Sequence, residues 1–371
     1  MQAIEKRRIE FIDLAKGICI FMVVLVHVMP DFGDRFKVLA CLRMPLYFCL
    51  SGLFYKDYGG IKNFTIKKVN NILIPFVAWY LIGYGIYYVG RIFLPSGNEA
   101  TYHFSDILFQ NDIFNIPIWF LLCLFWSNVL FSIVSYIAKK WYTQLLGVML
   151  IAGGGLLANR LGIFNFLYFF SSMTCLPFFY LGYALKKTTL LHTTTNKKLD
   201  FILMAVCLGV ASIFAFLPPE PPRLHYYRNL IISGDIFSIY ICAALLVVGI
   251  LILCKFVKTL PFLSWLGRYS IIVLVTHMWL RDILGTLLNK FAGQELSEEI
   301  KPWIILLLVL GAMGLVIPFC KKYLPYITAQ KPLIKIKETI EKKTTFKNNN
   351  ENNESDFSNH NRSSFFPKGE G

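Results

Sequence analysis

Six ionisable side chains stand inside or at the ends of apolar runs: Asp13, Lys16, His27, Arg43, His277 and Arg281. An imidazole takes up and releases a proton near neutrality, so His27 and His277 suit proton transfer to or from a weakly acidic group. A guanidinium stays charged, so Arg43 suits stabilising a developing oxyanion or orienting a base. A Lys or Arg at mid-bilayer costs roughly 2.5–3.5 kcal/mol on insertion scales, so such a residue is retained mainly where it faces a partner or a water-filled site. His27, which follows the run MVVLV, is the most pointed case. The plain structural readings are an imidazole bonded to backbone for His277, snorkelling for Lys16 and Arg281, and interfacial positions for Asp235 and Trp119.

The elements that must position these groups are membrane helices. Of 371 residues, 56% are hydrophobic and 16% charged, and mean hydropathy is +0.55. Soluble domains carry about 25% charged residues. A spanning helix needs about 20 largely apolar residues. The pattern predicts an all-α integral membrane protein with about ten spans, centred near Met22, Tyr47, Ile82, Phe125, Ile151, Thr174, Val206, Ala243, Val275 and Val309. The net charge of +15 is topological: Lys and Arg fall between spans on alternate sides, so nucleic acid is not the expected partner. The nine cysteines lie in apolar runs without CxxC pairs. They read as small buried hydrophobes, and no metal site is expected.

Loop charges set the orientation. Lys6, Arg7 and Arg8 precede the first span; Lys56, Lys62, Lys67 and Lys68 follow the second; Lys139 and Lys140, Lys186 and Lys187, Lys197 and Lys198, Lys255 and Lys258, and Lys321 and Lys322 recur on the same side. Glu99, Asp106, Asp112, Glu295, Glu298 and Glu299 fall on the other. The positive-inside rule then predicts both termini in the cytoplasm. Residues 1–326 read as the membrane domain, and 327–371, ending in the polar run KNNNENNESDFSNHNRSS, as a disordered cytoplasmic tail.

At about 1.5 Å per residue, His27 lies roughly 24 Å along an outward-running first helix, Arg43 about 9 Å in from the outer end of the second, and His277 roughly 21 Å along a ninth helix that starts near Leu263. Arg281 is one turn beyond His277 on the same face, whereas Asp282 points to a different face. Asp235 sits just inside the outer end of the eighth helix. These groups share the outer half of the membrane, while Asp13 and Lys16 lie at the cytoplasmic end. The arrangement predicts a cavity with a mouth at each side.

The surrounding pattern resembles the membrane-bound acyltransferase family 3, integral-membrane carbohydrate O-acyltransferases. The family's Asp-x-x-(Arg or Lys)-Gly signature followed by an apolar run and His is similar to Asp13-Leu14-Ala15-Lys16-Gly17 and His27. The second-helix block resembles Leu42-Arg43-Met44-Pro45-Leu46-Tyr47-Phe48 followed by Ser51-Gly52. Further similarities are Lys67-Lys68 leading to Ile74-Pro75-Phe76, the element Trp119-Phe120-Leu121, and Gly267, Ser270 and His277. The resemblance covers about residues 8 to 320. Arg43 stands where the family usually has His, Lys16 where many members have Arg, and Asn70-Asn71 where a second basic residue is common.

The resemblance implies transfer of an acyl group, most often acetyl, from cytoplasmic acyl-CoA to a hydroxyl of a cell-surface glycan or lipid-linked sugar, with a prokaryotic cytoplasmic membrane as the home. On that reading the catalytic residues are His27, Arg43 and Asp13: His27 is the base, Arg43 stabilises the oxyanion or orients the base, and Asp13 with Lys16 organises the cytoplasmic mouth. Lys16, Lys67 and Lys68 serve the CoA end as point charges, and His277, Arg281, Asp235 and Trp119 serve the acceptor side. Intramembrane His, Arg and Asp also occur in secondary transporters. The signature block and the lack of an internal repeat favour the enzyme; an inactive partner in glycan assembly is a third reading.

Overall fold

The computed structural model describes residues 10–30, 38–93, 103–105, 115–188, 190–191, 196–217, 222–226, 228–292, 297 and 299–335. Lys6, Arg7, Arg8, Lys37, the loop acids Glu99, Asp106, Asp112, Glu295 and Glu298, and the polar tail from 336 lie outside them. Residues 1–333 form one compact unit, and 334–371 form a second of which two residues are described.

The helices in chain order are α1 (Glu10–Val28), α2 (Val38–Leu53), α3 (Ile61–Lys68), α4 (Ile74–Phe93), α5 (Trp119–Ile137), α6 (Trp141–Arg160), α7 (Phe169–Lys187), α8 (Lys197–Phe216), α9 (Ile236–Val257), α10 (Pro261–Arg268), α11 (Ser270–Ala292) and α12 (Lys301–Tyr323). Among the described residues nine helical segments are long and apolar enough to span a membrane, one fewer than about ten, because the second apolar run gives only the shorter helix Cys41–Leu53. The fold class is therefore all-α and membrane-spanning, as the hydropathy pattern predicts.

Three local features depart from the expected pattern. Lys67 and Lys68 stand in a helix, not a loop, because α3 continues through a π turn (Val69–Leu73) into α4. Pro75 has no amide hydrogen and its ring crowds the preceding turn, so the helix widens there. The ninth span is divided: α10 is a separate short helix, and α11 starts only at Ser270. Between α8 and α9 the chain forms an antiparallel hairpin of β1 (Arg223–His225) and β2 (Leu230–Ser233), pairing Leu224 with Ile231 and His225 with Leu230.

The centre of the bundle is α1, whose span is 72% buried against 22–56% for the other long helices. It packs on α2, α9, α10 and α11. Its contact with α10 is nearly backbone to backbone: a methyl at Gly17 would run into the Leu263 carbonyl, and one at Gly267 into the Asp13 carbonyl. Small residues are what allow helices to approach so closely in lipid, where packing rather than the hydrophobic effect holds them. A second such crossing joins α2 to α7, where Gly52 faces the Phe179 carbonyl and Gly182 the Cys49 carbonyl. These two contacts explain why the Lys-Gly and Ser-Gly steps in the sequence carry glycine.

All nine cysteines are free and buried, in keeping with their reading as small core residues. Beyond α12, the Ile327 carbonyl accepts the Trp79 indole N–H at 3.0 Å, and Thr328 is fully buried.

Candidate active site

The last turn of α1 and the middle of α11 bring two histidines together. His27 Nδ1 lies 2.9 Å from His277 Nε2, and the rings stack at 5.1 Å with 24° between their planes. His277 Nδ1 lies 2.9 Å from the Val273 carbonyl one turn earlier. A carbonyl only accepts, so in neutral His277 the proton sits on Nδ1 and Nε2 offers a lone pair. His27 Nδ1 then donates to that lone pair, and the free lone pair of His27 is on Nε2. This tautomer assignment follows from the hydrogen-bond chain. No partner among the described residues hydrogen-bonds His27 Nε2. His277 is fully buried, whereas His27 is half-buried. The arrangement leaves one imidazole with an open lone pair and a second that fixes its orientation.

Arg281 fixes the two helices in register. Its Nη1 donates to the His27 carbonyl at 3.0 Å, one of the carbonyls left without an intrahelical partner at a helix end. Spacing of four residues puts Arg281 and His277 on one face of α11, as predicted. Asp282 is the next residue round the helix, and its Oδ1 accepts from Arg281 Nε at 2.8 Å and Nη2 at 2.6 Å. The guanidinium is long enough to reach back across its own helix surface.

Arg43 of α2 is close enough to act electrostatically on His27. Its carbonyl accepts the Cys19 thiol at 2.7 Å, while its Nη1 is buried without a hydrogen-bond partner. Pro45 interrupts the α2 ladder beside it.

Asp13, Lys16, Lys67 and Lys68 stand toward the other end of α1 and α2. Fourteen residues separate Asp13 from His27, about 21 Å of helix. Asp13 is buried, with its Oδ2 3.8 Å from Arg268 Nε of α10. Lys16 Nζ lies over the Phe54 ring at 4.7 Å, and Lys68 Nζ over Phe64 at 5.4 Å. Asn70 turns inward and donates to the Ile66 carbonyl at 2.9 Å.

The other two expected acceptor-side residues, Trp119 and Asp235, have partners of their own. Trp119 is buried in an aromatic cluster, 5.8 Å from the Tyr168 ring and 6.4 Å from Phe120. Asp235 caps α9, its Oδ1 accepting from the Phe237 and Ser238 amides at 2.8 and 3.0 Å. Those bonds, led by the one from the Ser238 hydroxyl, hold its carboxyl below the usual range. It lines a separate cleft of about 380 Å³ with Asn159, Arg160 and Asn229.

Several site residues gave little signal in the sequence. Asn115, just before α5, donates to the Val275 carbonyl at 2.7 Å and so anchors α11 two residues from His277. The β1–β2 hairpin is pinned into the bundle. Cys41 donates to the Pro222 carbonyl at 2.6 Å, Asn229 donates to the Gly155 carbonyl at 2.8 Å, and Thr174 donates to Asn229 at 2.6 Å. Asn229 has φ +54°, which asparagine tolerates better than most residues. The only hint was a Tyr-Arg-Asn turn between a Pro-rich stretch and Gly234.

Neither a curated protein nor a solved structure matches the chain. The profile of an acyltransferase domain matches residues 9–321, which takes in the histidine pair, Arg43, Asp13, Lys16, Lys67 and Lys68. A membrane-spanning bundle with a paired imidazole at its heart and that match together make this chain a member of the acyltransferase family 3, a membrane acyltransferase.

Proposed function

We propose that the protein moves an acyl group, in the first instance acetyl, from cytoplasmic acyl-CoA to a hydroxyl of a cell-surface glycan or lipid-linked sugar. The observation that carries this reading is the chain of hydrogen bonds from Val273 through His277 to His27. A sugar hydroxyl is a weak nucleophile until a base takes its proton as it attacks. His27 Nε2 receives that proton while the hydroxyl oxygen bonds to the thioester carbon. The cation formed on His27 keeps its Nδ1 bond to His277 Nε2, so the ring holds its orientation through the step. Arg43 offsets negative charge gathering on the former carbonyl oxygen. The carbon–sulfur bond then breaks, the thiolate takes the proton back from His27, and the products are an ester and a free thiol.

The depth of the site supports the choice of donor. The histidines stand about 21 Å along α1 from Asp13, so a donor entering at the Asp13 end needs a long arm between its charged part and its thioester. Coenzyme A has that form. Lys16, Lys67 and Lys68 supply positive charge near that mouth for its phosphates, acting as mobile point charges. Charge bias in the loops supports a cytoplasmic position for that mouth and for both termini, with the cell membrane as the location.

Mass spectrometry of cell-surface glycans tests the reading, comparing cells with the intact protein, without it, and with His27→Ala. Ester-linked acyl mass is expected to vanish in both the deletion and the variant. Retention in the variant would remove His27 as the base, and an unchanged acyl profile with altered glycan amount would turn the reading to transport.

A further inference from the structure

Two buried polar groups from different elements lack any hydrogen bond: Arg43 Nη1 on α2, which lies within electrostatic range of His27, and the Tyr226 hydroxyl just after β1. Tyr226 is 6% exposed. The two are close enough to act on each other electrostatically. Leaving a buried polar group without a hydrogen bond is costly, and more so for a charged one. Two neighbouring orphans are what a site looks like when its ligand supplies the missing partner.

The surroundings say what sign that ligand carries. Arg223, at the start of β1, also lies within electrostatic range of Arg43, and His225 is within range of Arg228, Arg223 and Arg43. Arg228 is exposed and Arg223 half-buried, so positive charge continues from outside the bundle inward to Arg43. Such a graded run of one sign concentrates and orients an oppositely charged substrate, and guanidinium pairs bind carboxylate and phosphate with directional bonds. The hairpin is held rigidly enough to do this by the Cys41, Asn229 and Thr174 bonds.

We infer that the hairpin reads an anionic group on the acceptor, a carboxylate or a phosphate, seated between Arg43 and Tyr226 with Arg223 and Arg228 on its approach. The acceptor is then an acidic or phosphorylated sugar, and the anionic group fixes which of its hydroxyls meets His27. Calling this ligand the acceptor rests on the acyl-transfer reading; the anion preference itself does not.

Binding without turnover separates the two. The full chain in lipid nanodiscs is titrated calorimetrically with methyl glucuronoside, glucose 1-phosphate and neutral methyl glucoside. At least one anionic sugar is expected to bind tenfold or more tightly than the neutral one, and which of them does so tells carboxylate from phosphate. Arg223→Gln with Arg228→Gln is expected to remove most of that preference, and the near-isosteric Tyr226→Phe part of it, whereas His27→Ala keeps it. Equal or undetectable binding of all three sugars overturns the proposal, as does a preference that persists in the double Arg variant. Loss of acyl transfer in His27→Ala with the preference intact would show that the two readings stand or fall separately.

Discussion

His27 Nδ1 and His277 Nε2 stand 2.9 Å apart across 250 residues of sequence. The outer ring is positioned by the inner one, and the inner one by a backbone carbonyl. Under the acyl-transfer proposal that order makes the roles unequal: His27 would handle the proton, and His277 would position its ring.

Removing the two imidazoles should therefore give different kinetic results. His27→Ala is expected to lower kcat by about 10²–10⁴-fold, the range for losing a general base. His277→Ala leaves the base but frees its ring to rotate. A fall of roughly tenfold to a hundredfold in kcat, with apparent KM little changed, is expected. Partial recovery in His277→Asn, which can still offer an acceptor to His27 Nδ1, would distinguish positioning from a packing defect. Equal losses in all three variants would contradict the division of labour.

The contact between α1 and α10 leaves no room for a methyl group. Gly17→Ala and Gly267→Ala each drive a Cβ into a facing backbone carbonyl. Neither backbone can yield as a flexible side chain would. Each variant should lose about 1–3 kcal/mol, the usual cost of overpacking, seen as a lower unfolding temperature in detergent. Unchanged thermal stability would mean that the two helices separate without penalty.

His225 gives a pH-dependent reporter outside the membrane. Burial, followed by the charges of Arg228, Arg223 and Arg43, lowers its pKa below the ordinary value of 6.5. The folded protein therefore binds this proton less readily than the unfolded chain. Its contribution to stability is present above about 6.5 and is lost as pH falls through the lowered folded value. A bound anion should offset the part of the shift that comes from the three arginines. Proton uptake on binding methyl glucuronoside or glucose 1-phosphate is then expected between the lowered value and 6.5, and the His225 ring resonance should titrate higher. A resonance that does not move with a bound anion would place the anion elsewhere.

Away from the site, Lys255 of α9 and Asp200 of α8 form an ion pair at 2.7 Å with side chains only 9% and 5% exposed. Lys255 also donates to the Leu190 carbonyl at 2.8 Å. Asp200→Ala strips a buried ammonium of its counter-ion and should cost about 3 kcal/mol or more. Asp200→Ala with Lys255→Met should recover much of that. A single variant as stable as the parent would show that water reaches the pair.

The amino-acid sequence by itself determined the spans, because hydrocarbon accepts only long runs whose backbone is satisfied internally. The fixed rise of a helix then placed His27 and His277 at similar depth, and spacing of four put Arg281 on the face of His277. What the sequence left open was rotation. Helices that are apolar on every side carry no stripe to show which face turns inward, so the sequence did not say that Arg281 meets the end of α1. Tertiary packing decided that. The glycine crossing of Gly17 and Gly267 seats α10 against α1, the Arg281 bond to the His27 carbonyl sets α11, and the Pro222 contact with Cys41 draws in a hairpin that no span-length periodicity marks. Burial in lipid depends on composition over about 20 residues, whereas a hydrogen bond between two imidazoles depends on angles that only neighbouring helices can fix.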